Sequence, residues 1–246
     1  VVSRAAKRRR QNHHEQNCDR CGLKGWSHHA GISLADCYDI GMDLTAADKE
    51  YLLKFSCHVI RSRLRGDAIP PVVSPFSKTI LYPAGVFVSL HSRQSHALRG
   101  CIGRVDSSSP LLSALGNVSW QVVGDHRFAK NPVTTAELPS LTIEISILGL
   151  LKPAASPLDF EPGKDGMYLS AAGRAGLFLP QVARETGWSR EQLLDRLCSE
   201  KLSLAPRLWQ DPASRFFTFD TEQIGPQDFS FEDVPLAAAR PEKVEK

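Results

Sequence analysis

A cysteine and an arginine alternate within one short glycine-containing stretch, and both side chains are suited to chemistry. The stretch Leu98–Gly103 reads Leu-Arg-Gly-Cys-Ile-Gly and has the alternation of a β-strand. Residues two apart on a strand share a face and lie roughly 7 Å apart, so Arg99 would sit beside Cys101. A nearby guanidinium favours the reactive thiolate, while Gly100 and Gly103 permit close approach of a ligand or backbone. Two hypotheses follow: Cys101 is a reactive or ligand-binding thiol in a cleft, or it is a small buried side chain while Arg99 forms a structural ion pair.

Four polar residues elsewhere are further candidates for catalysis or binding. Glu144 lies on the polar face of the most regular predicted strand. Three interpretations of it are open: a general base, a hydrogen-bond acceptor for a ligand, or a solvated carboxylate. Asp125 and Arg127 follow a predicted helix, where they bind a ligand or form a structural pair. Gln181 follows a proline at a predicted helix start, where backbone N–H groups favour anions. Each of the four keeps a structural alternative beside the functional one.

Near the N-terminus the sequence contains side chains that bind zinc in other proteins. Cys18 and Cys21 form a Cys-x-x-Cys pair, and His28, His29 and Cys37 follow. A structural zinc site needs four ligands, and a second well-spaced pair is missing. We therefore expect no cofactor and no metal in the main domain, with zinc on this N-terminal segment as the minority hypothesis.

Composition and charge narrow the class of protein. The chain has 246 residues, 42% hydrophobic and 23% charged, which is typical of a globular protein of one or two domains. Residues 1–41 hold seven Lys or Arg and four Asp or Glu, so they carry the whole net charge of +3 and the remainder is neutral. Because nucleic-acid-binding domains normally present a basic face, nucleic acid is a disfavoured partner. The absence of a long apolar run or signal pattern leads us to expect a cytoplasmic protein with reduced cysteines and no membrane span.

Periodicity predicts an α+β fold, with an antiparallel sheet and flanking helices. Residues 1–41 read as an irregular basic extension, either native or upstream of a true start at Met42; residues 42–225 form the domain, and 226–246 a disordered charged tail. The predicted helices cover about 46–64 and begin again near 110, 180 and 189. The predicted strands cover 85–90, 97–102, 142–148, 167–170, 175–179 and 215–219.

Several motifs together resemble the AMMECR domain family. The hexapeptide at 98–103 carries the resemblance first, and the run Leu177-Phe178-Leu179-Pro180-Gln181-Val182-Ala183 is equally specific. Further matching stretches lie at 85–88, 125–128, 137–139, 143–146 and 187–188. The resemblance spans roughly residues 43 to 225. One departure is His126, which stands where the family usually has proline.

The resemblance implies a two-part fold with a cleft between two subdomains. The larger part would hold an antiparallel sheet built from both ends of the domain, and a smaller helical part would be inserted. Bacterial and archaeal members, called protein A of the AmmeMemoRadiSam system, often accompany a Memo-like protein and a radical SAM protein. We therefore expect an enzyme component that acts through a cleft around Cys101 and Arg99. The alternative is a non-catalytic binding or regulatory module that docks a partner through the same cleft.

Overall fold

The computed structural model of the chain describes residues 44–70, 77, 79–105 and 108–229. The predicted N-terminal extension and its zinc candidates Cys18, Cys21, His28 and Cys37 lie outside these residues, as does the predicted tail beyond residue 229. In the described part of the chain, two four-stranded antiparallel sheets and their helices form an α+β fold. The predicted fold class is therefore confirmed.

The first helix, α1 (Ala46–Arg65), begins and ends where its sequence dictates. Thr45 accepts a hydrogen bond from the backbone N–H of Asp48, whose carboxylate accepts one from the N–H of Thr45 at 3.0 Å. This reciprocal capping box satisfies two backbone donors that the first helical turn leaves free. Gly66 ends the helix with a φ of 82°, a left-handed conformation that glycine adopts without steric cost.

The first sheet, here called sheet 1, contains strands from both ends of the described domain. Its strand order is β2-β1-β3-β8, with β1 at Gly85–Ser92, β2 at Leu98–Arg104, β3 at Leu141–Leu148 and β8 at Thr221–Asp228. Helix α2 (Leu111–Val122) packs on β1 and β2, and α1 packs on α2 and β3. The face that meets the helices is fully buried and apolar: Val86, Val88, Leu90, Ile143, Ile145 and Ile147. Strand alternation consequently directs the polar residues to the opposite face, here called the outer face.

The chain between β3 and β8 builds a second sheet of its own. Sheet 2 has the order β4-β7-β5-β6, formed by Lys152–Pro153, Arg215–Phe219, Gly166–Ala171 and Arg174–Phe178. Two short helices follow β6: α3 (Pro180–Thr186) and α4 (Arg190–Arg196). The expectation of a smaller helical insertion is therefore wrong in one respect, because strands make up much of this part. Their apolar face packs under the helices around Met167, Leu169, Leu194 and Phe216.

Strand β8 differs from the sequence-based expectation. It runs to Asp228, three residues beyond the predicted boundary at 225, and pairs with β3 on both sides of residues 225–226. Gly225 interrupts the pairing at a φ of 99°, and a Cβ here would lie 2.7 Å from the carbonyl oxygen of Ile143. The strand escapes prediction because Ile224 is its one buried residue.

No helix in the described ranges is long and apolar enough to cross a membrane.

Replacing Gly100 tests how closely β2 and α2 must approach. A Cβ at this position would lie 2.6 Å from the carbonyl oxygen of Val122, which is rigid helix backbone. We expect Gly100→Ala to lower the free energy of unfolding by about 1–3 kcal/mol, the usual cost of overpacking. Chemical denaturation measures this loss.

The matched control is Gly124→Ala, just beyond the same helix. There a Cβ would meet the carbonyl oxygen of Gln121 at an ordinary 3.5 Å. This variant is expected to stay within about 0.5 kcal/mol of the parent protein. Equal stability of the two variants would show that the approach of β2 to α2 is not tight.

Candidate functional site

Three polar side chains form one row across the outer face of sheet 1. Ser89 on β1 lies opposite Cys101 on β2 and opposite Glu144 on β3. Residues paired across antiparallel strands share a face, so the three side chains project together. The predicted candidates Cys101 and Glu144 are thus placed on one surface, and Ser89 is the residue between them that sequence reasoning missed.

Cys101 differs from the other two described cysteines in its access to solvent. It is half-buried, and the hydroxyl of Ser89 donates to its Sγ at 3.2 Å. Cys57 and Cys198 are both fully buried. Burial raises the pKa of Cys57 to about 12 and also raises the pKa of Cys198. Because the thiolate is the nucleophile, these two thiols are poorly suited to react.

An aspartate–arginine pair holds the main chain of Cys101. The carboxylate of Asp125 accepts the backbone N–H of Cys101 at 2.9 Å, and Nη2 of Arg127 donates to its carbonyl oxygen, also at 2.9 Å. Arg127 in turn donates to Asp125 through Nε and Nη2, the latter at 2.6 Å. Since β2 is an edge strand, the pair satisfies the backbone groups that a further strand would have bonded.

The register between β1 and β2 sets the geometry between Cys101 and Ser89. Both backbone groups of Cys101 point away from β1, so Cys101 and Ser89 form a pair without mutual backbone hydrogen bonds. Such pairs have Cα atoms only about 4.5 Å apart, which brings their side chains close. The contact between the hydroxyl and the thiol therefore follows from this register, and the Asp125–Arg127 pair bonds the backbone groups that the register turns outward.

The electrostatics of the Asp125–Arg127 pair follow from its hydrogen bonds. Asp125 is buried, and its hydrogen bonds from Arg127 lower its pKa to about 2. The hydrogen bond to Asp125 is the largest cause that raises the pKa of Arg127. Arg127 thus places a cation at the backbone carbonyl oxygen of Cys101.

Arg99, which the sequence placed beside Cys101, is committed to a different partner. Its Nε donates to Glu137 at 2.6 Å and its Nη2 to the same carboxylate at 3.0 Å, a bidentate ion pair. The Nη2 also donates to the carbonyl oxygen of Asn131. The pair raises the pKa of Arg99 and lowers that of Glu137 through these side-chain hydrogen bonds. Glu137 was not a predicted site residue, because its partner lies 38 positions away in the chain.

Glu144 and Gln181 meet where helix α3 contacts sheet 1. The Nε2 of Gln181 donates to Oε1 of Glu144 at 3.1 Å and to Oγ of Ser146 at 3.0 Å. Ser146 is buried on the outer face, one row from Glu144. The side-chain amide oxygen of Gln181, Oε1, is buried as well, and it accepts no hydrogen bond. The predicted candidates Glu144 and Gln181 are therefore brought together by contact.

The two candidate glycines are placed by packing. Gly100 faces helix α2, on the side opposite Cys101. Gly103 lies under the ring of Phe87, which fills the space a side chain would need. In the described residues, no group of three or more His, Cys, Asp or Glu side chains could hold a metal ion.

The low pKa of Asp125 predicts a specific pH dependence of stability. Because its pKa falls from 3.8 to about 2 on folding, the unfolded chain binds the proton more readily as the pH drops. The stabilisation is complete above about pH 4 and is lost as the pH falls through about 2, and it amounts to roughly 2 kcal/mol. We expect Asp125→Asn to be less stable than the parent protein by at least this amount at pH 6, with a difference that narrows towards pH 2.

Urea denaturation across this pH range measures the effect. The control is Asp159→Asn, since Asp159 is exposed and forms no described ion pair. A difference between Asp125→Asn and the parent protein that stays constant with pH would contradict the assigned role of the carboxylate.

Comparison with known proteins places the chain in a family. The AMMECR1 family model matches residues 53–224. A protein of Methanothermobacter thermautotrophicus is 33% identical over 178 residues, covering 70% of this chain and 90% of the relative. Protein MJ0810 of Methanocaldococcus jannaschii is 31% identical, covering 73% of this chain and 90% of the relative. The crystal structure of protein PH0010 from Pyrococcus horikoshii superposes with a TM-score of 0.65 and 29% identity, over 71% of this chain and 89% of that one. The chain belongs to the AMMECR1 family.

Proposed function

We propose that the protein is an enzyme component that acts at the outer face of sheet 1 through the thiol of Cys101. The observation that carries the proposal is the setting of this thiol. It is accessible where the other described thiols are buried, it receives a hydrogen bond from Ser89, and the guanidinium of Arg127 donates to the backbone carbonyl oxygen of the same residue. Donors and cations that face a sulfur stabilise negative charge on it, which favours nucleophilic attack.

The other residues divide into groups that position the thiol and groups that meet the substrate. Asp125 and Arg127 hold the backbone of Cys101, so they act through it as positioning residues. Arg99 supports the same strand from its ion pair with Glu137. Glu144 lies across two strand pairs, with its Cα about 10 Å from that of Cys101. At that separation Glu144 suits contact with the substrate better than direct contact with the thiol.

The partner proteins of this proposal are a Memo-like protein and a radical SAM protein. This part of the proposal is supported by the resemblance, because bacterial and archaeal members of the family often accompany these two proteins. A tagged form of the full chain, expressed in its native host, would be expected to recover both proteins together.

A non-catalytic docking module is the second candidate function. The observation that favours it is the internal pairing of the charged residues near Cys101. Arg99 is paired with Glu137 and Arg127 with Asp125, and no described histidine forms a hydrogen bond with the thiol. On this alternative Cys101 fills space on a docking surface, and Cys101→Ser would leave partner binding intact.

Alkylation rates of the individual cysteines separate the two functions. We expect Cys101 to react with iodoacetamide at pH 7.5 faster than Cys57 and Cys198 by at least about tenfold, because burial keeps those thiols protonated and enclosed. Ser89→Ala should slow the reaction at Cys101 severalfold, since it removes the donor to Sγ. Mass spectrometry of proteolytic peptides after timed quenching gives each rate.

Two controls make the result specific. Ser113→Ala removes a hydroxyl from the exposed side of helix α2 and should leave the rate at Cys101 unchanged. In urea all three cysteines should react alike, which shows that the difference belongs to the fold. If native Cys101 reacts no faster than the buried pair, the thiol proposal is wrong and the docking module takes its place.

A further inference from the structure

Glu144 is a negative charge on the outer face without a cationic partner among the described residues. It is half-buried, and Gln181 is the described residue that donates to it, through Oε1. Its other oxygen, Oε2, accepts no hydrogen bond from the described chain. Partly buried carboxylates are costly to leave unpaired, so a cation at this position would be stabilising.

The neighbouring cations are already neutralised. Arg99 is held by both oxygens of Glu137, and Arg127 by both oxygens of Asp125. Each pair is formally neutral, whereas Glu144 keeps its charge. The uncompensated charge of the row Cys101–Ser89–Glu144 is therefore negative, and it lies at the β3 end of the row.

Gln181 adds a second acceptor at the same point. Both described hydrogen bonds of its amide use Nε2, which faces the Glu144 carboxylate and the Ser146 hydroxyl. In the reverse orientation the amide oxygen would face the carboxylate of Glu144, and two acceptors would repel each other. The hydrogen bonds therefore fix the orientation of the amide. The amide oxygen is consequently left buried without a donor. A group with several N–H donors would satisfy Oε2 of Glu144, and it would reach this oxygen after a local shift of the Gln181 side chain.

We propose that Glu144 and Gln181 form a recognition site for a cationic nitrogen group, a protonated amine or an amidinium, on the substrate of Cys101. The inference rests on the proposed function, because it names the chemical class that this same site accepts. The cation lies over β3, while the reacting atom lies over β2. Strand β1 lies between β2 and β3, so two strand spacings of about 4.8 Å separate them, and the charged nitrogen and the electrophilic centre of the ligand lie up to about 10 Å apart, less the reach of the side chains that meet them.

Charged thiol reagents of one chemical type test the site directly. Methanethiosulfonates react when a thiolate attacks their sulfenyl sulfur: a disulfide forms and methanesulfinate leaves. The full-length protein is treated with the neutral methyl reagent, the cationic 2-aminoethyl reagent and the anionic 2-sulfonatoethyl reagent. The rate at Cys101 is measured by peptide mass spectrometry and divided by the rate for free 2-mercaptoethanol.

After this normalisation, we expect Cys101 to react about tenfold faster with the cationic reagent than with the anionic one. A difference of this size is what one carboxylate produces at a protein surface when it lies a few ångströms from the charge of the reagent. Glu144→Gln should abolish the preference. Gln181→Met, which changes no charge, should reduce it severalfold. The control Glu185→Gln removes one negative charge from the exposed side of helix α3 and should leave the preference unchanged.

A second measurement does not need a reactive thiol. In Cys101→Ser protein, butylammonium chloride should raise the Tm relative to equal sodium chloride, because a ligand bound to the folded state stabilises it. The increase should vanish when Glu144→Gln is added.

The two measurements keep the two proposals apart. The rate with the neutral reagent tests the reactivity of Cys101 and hence the proposed function. The charge preference and the Tm test the cation site. If Cys101 reacts with no reagent, the proposed function fails and the Tm alone decides the site. Absence of both a cation preference and a Tm increase, or persistence of either in Glu144→Gln, would overturn the inference.

Discussion

The carboxylate of Asp125 is the group on which the geometry of the outer face depends. It is buried at the open edge of sheet 1, where it accepts the N–H of Cys101 and three donors from Arg127, namely its backbone N–H, Nε and Nη2. A carboxylate can accept several hydrogen bonds at once, so one side chain here replaces part of a neighbouring strand. If it were lost, Cys101 would lose a backbone partner, and Arg127 the counterion that orients it towards the strand.

The same interaction connects the helix layer to the outer face. Asp125 follows helix α2 directly, and Gly100 on β2 approaches the last turn of that helix so closely that a side chain cannot be accommodated. Helix, strand and loop therefore constrain one another at adjacent residues. Strand alternation then directs Gly100 inward to the helix and Cys101 outward, next to Ser89. Cys101 therefore lies on the outer face because Gly100, the residue before it, packs against the helix where no side chain fits.

Local signals in the sequence were sufficient for most elements but not for the partners of the site residues. Thr45, Asp48 and Gly66 predicted helix α1 because caps act within a few residues. The alternation of Ile143, Ile145 and Ile147 predicted β3 for the same reason. Strand β8 has a single buried residue, and its pairing with β3 comes from tertiary structure, so no local signal identifies it.

The sequence placed Arg99 and Cys101 on one strand, but the choice of Glu137 as the partner of Arg99 depends on how a distant loop folds back. Ser89 was missed because the pairing of β1 with β2 shifts after Leu90. Counting paired residues outward from the hairpin loop does not reveal that shift.

Helix α3 governs how the two sheets share the outer face. Gln181 bonds to β3, and Arg184, three residues later on the same side of the helix, donates to Gln223 of β8 at 3.1 Å. One short helix from the sheet 2 segment therefore contacts two adjacent strands of sheet 1. Its contact with β3 leaves a buried amide oxygen unpaired, and such a group costs about 1–3 kcal/mol. Helix α3 consequently packs on β3 despite the free-energy cost of this unpaired oxygen, at the point where Glu144 lacks a counterion. A ligand that supplies the missing donors would remove that cost and would bind at the junction of the two sheets.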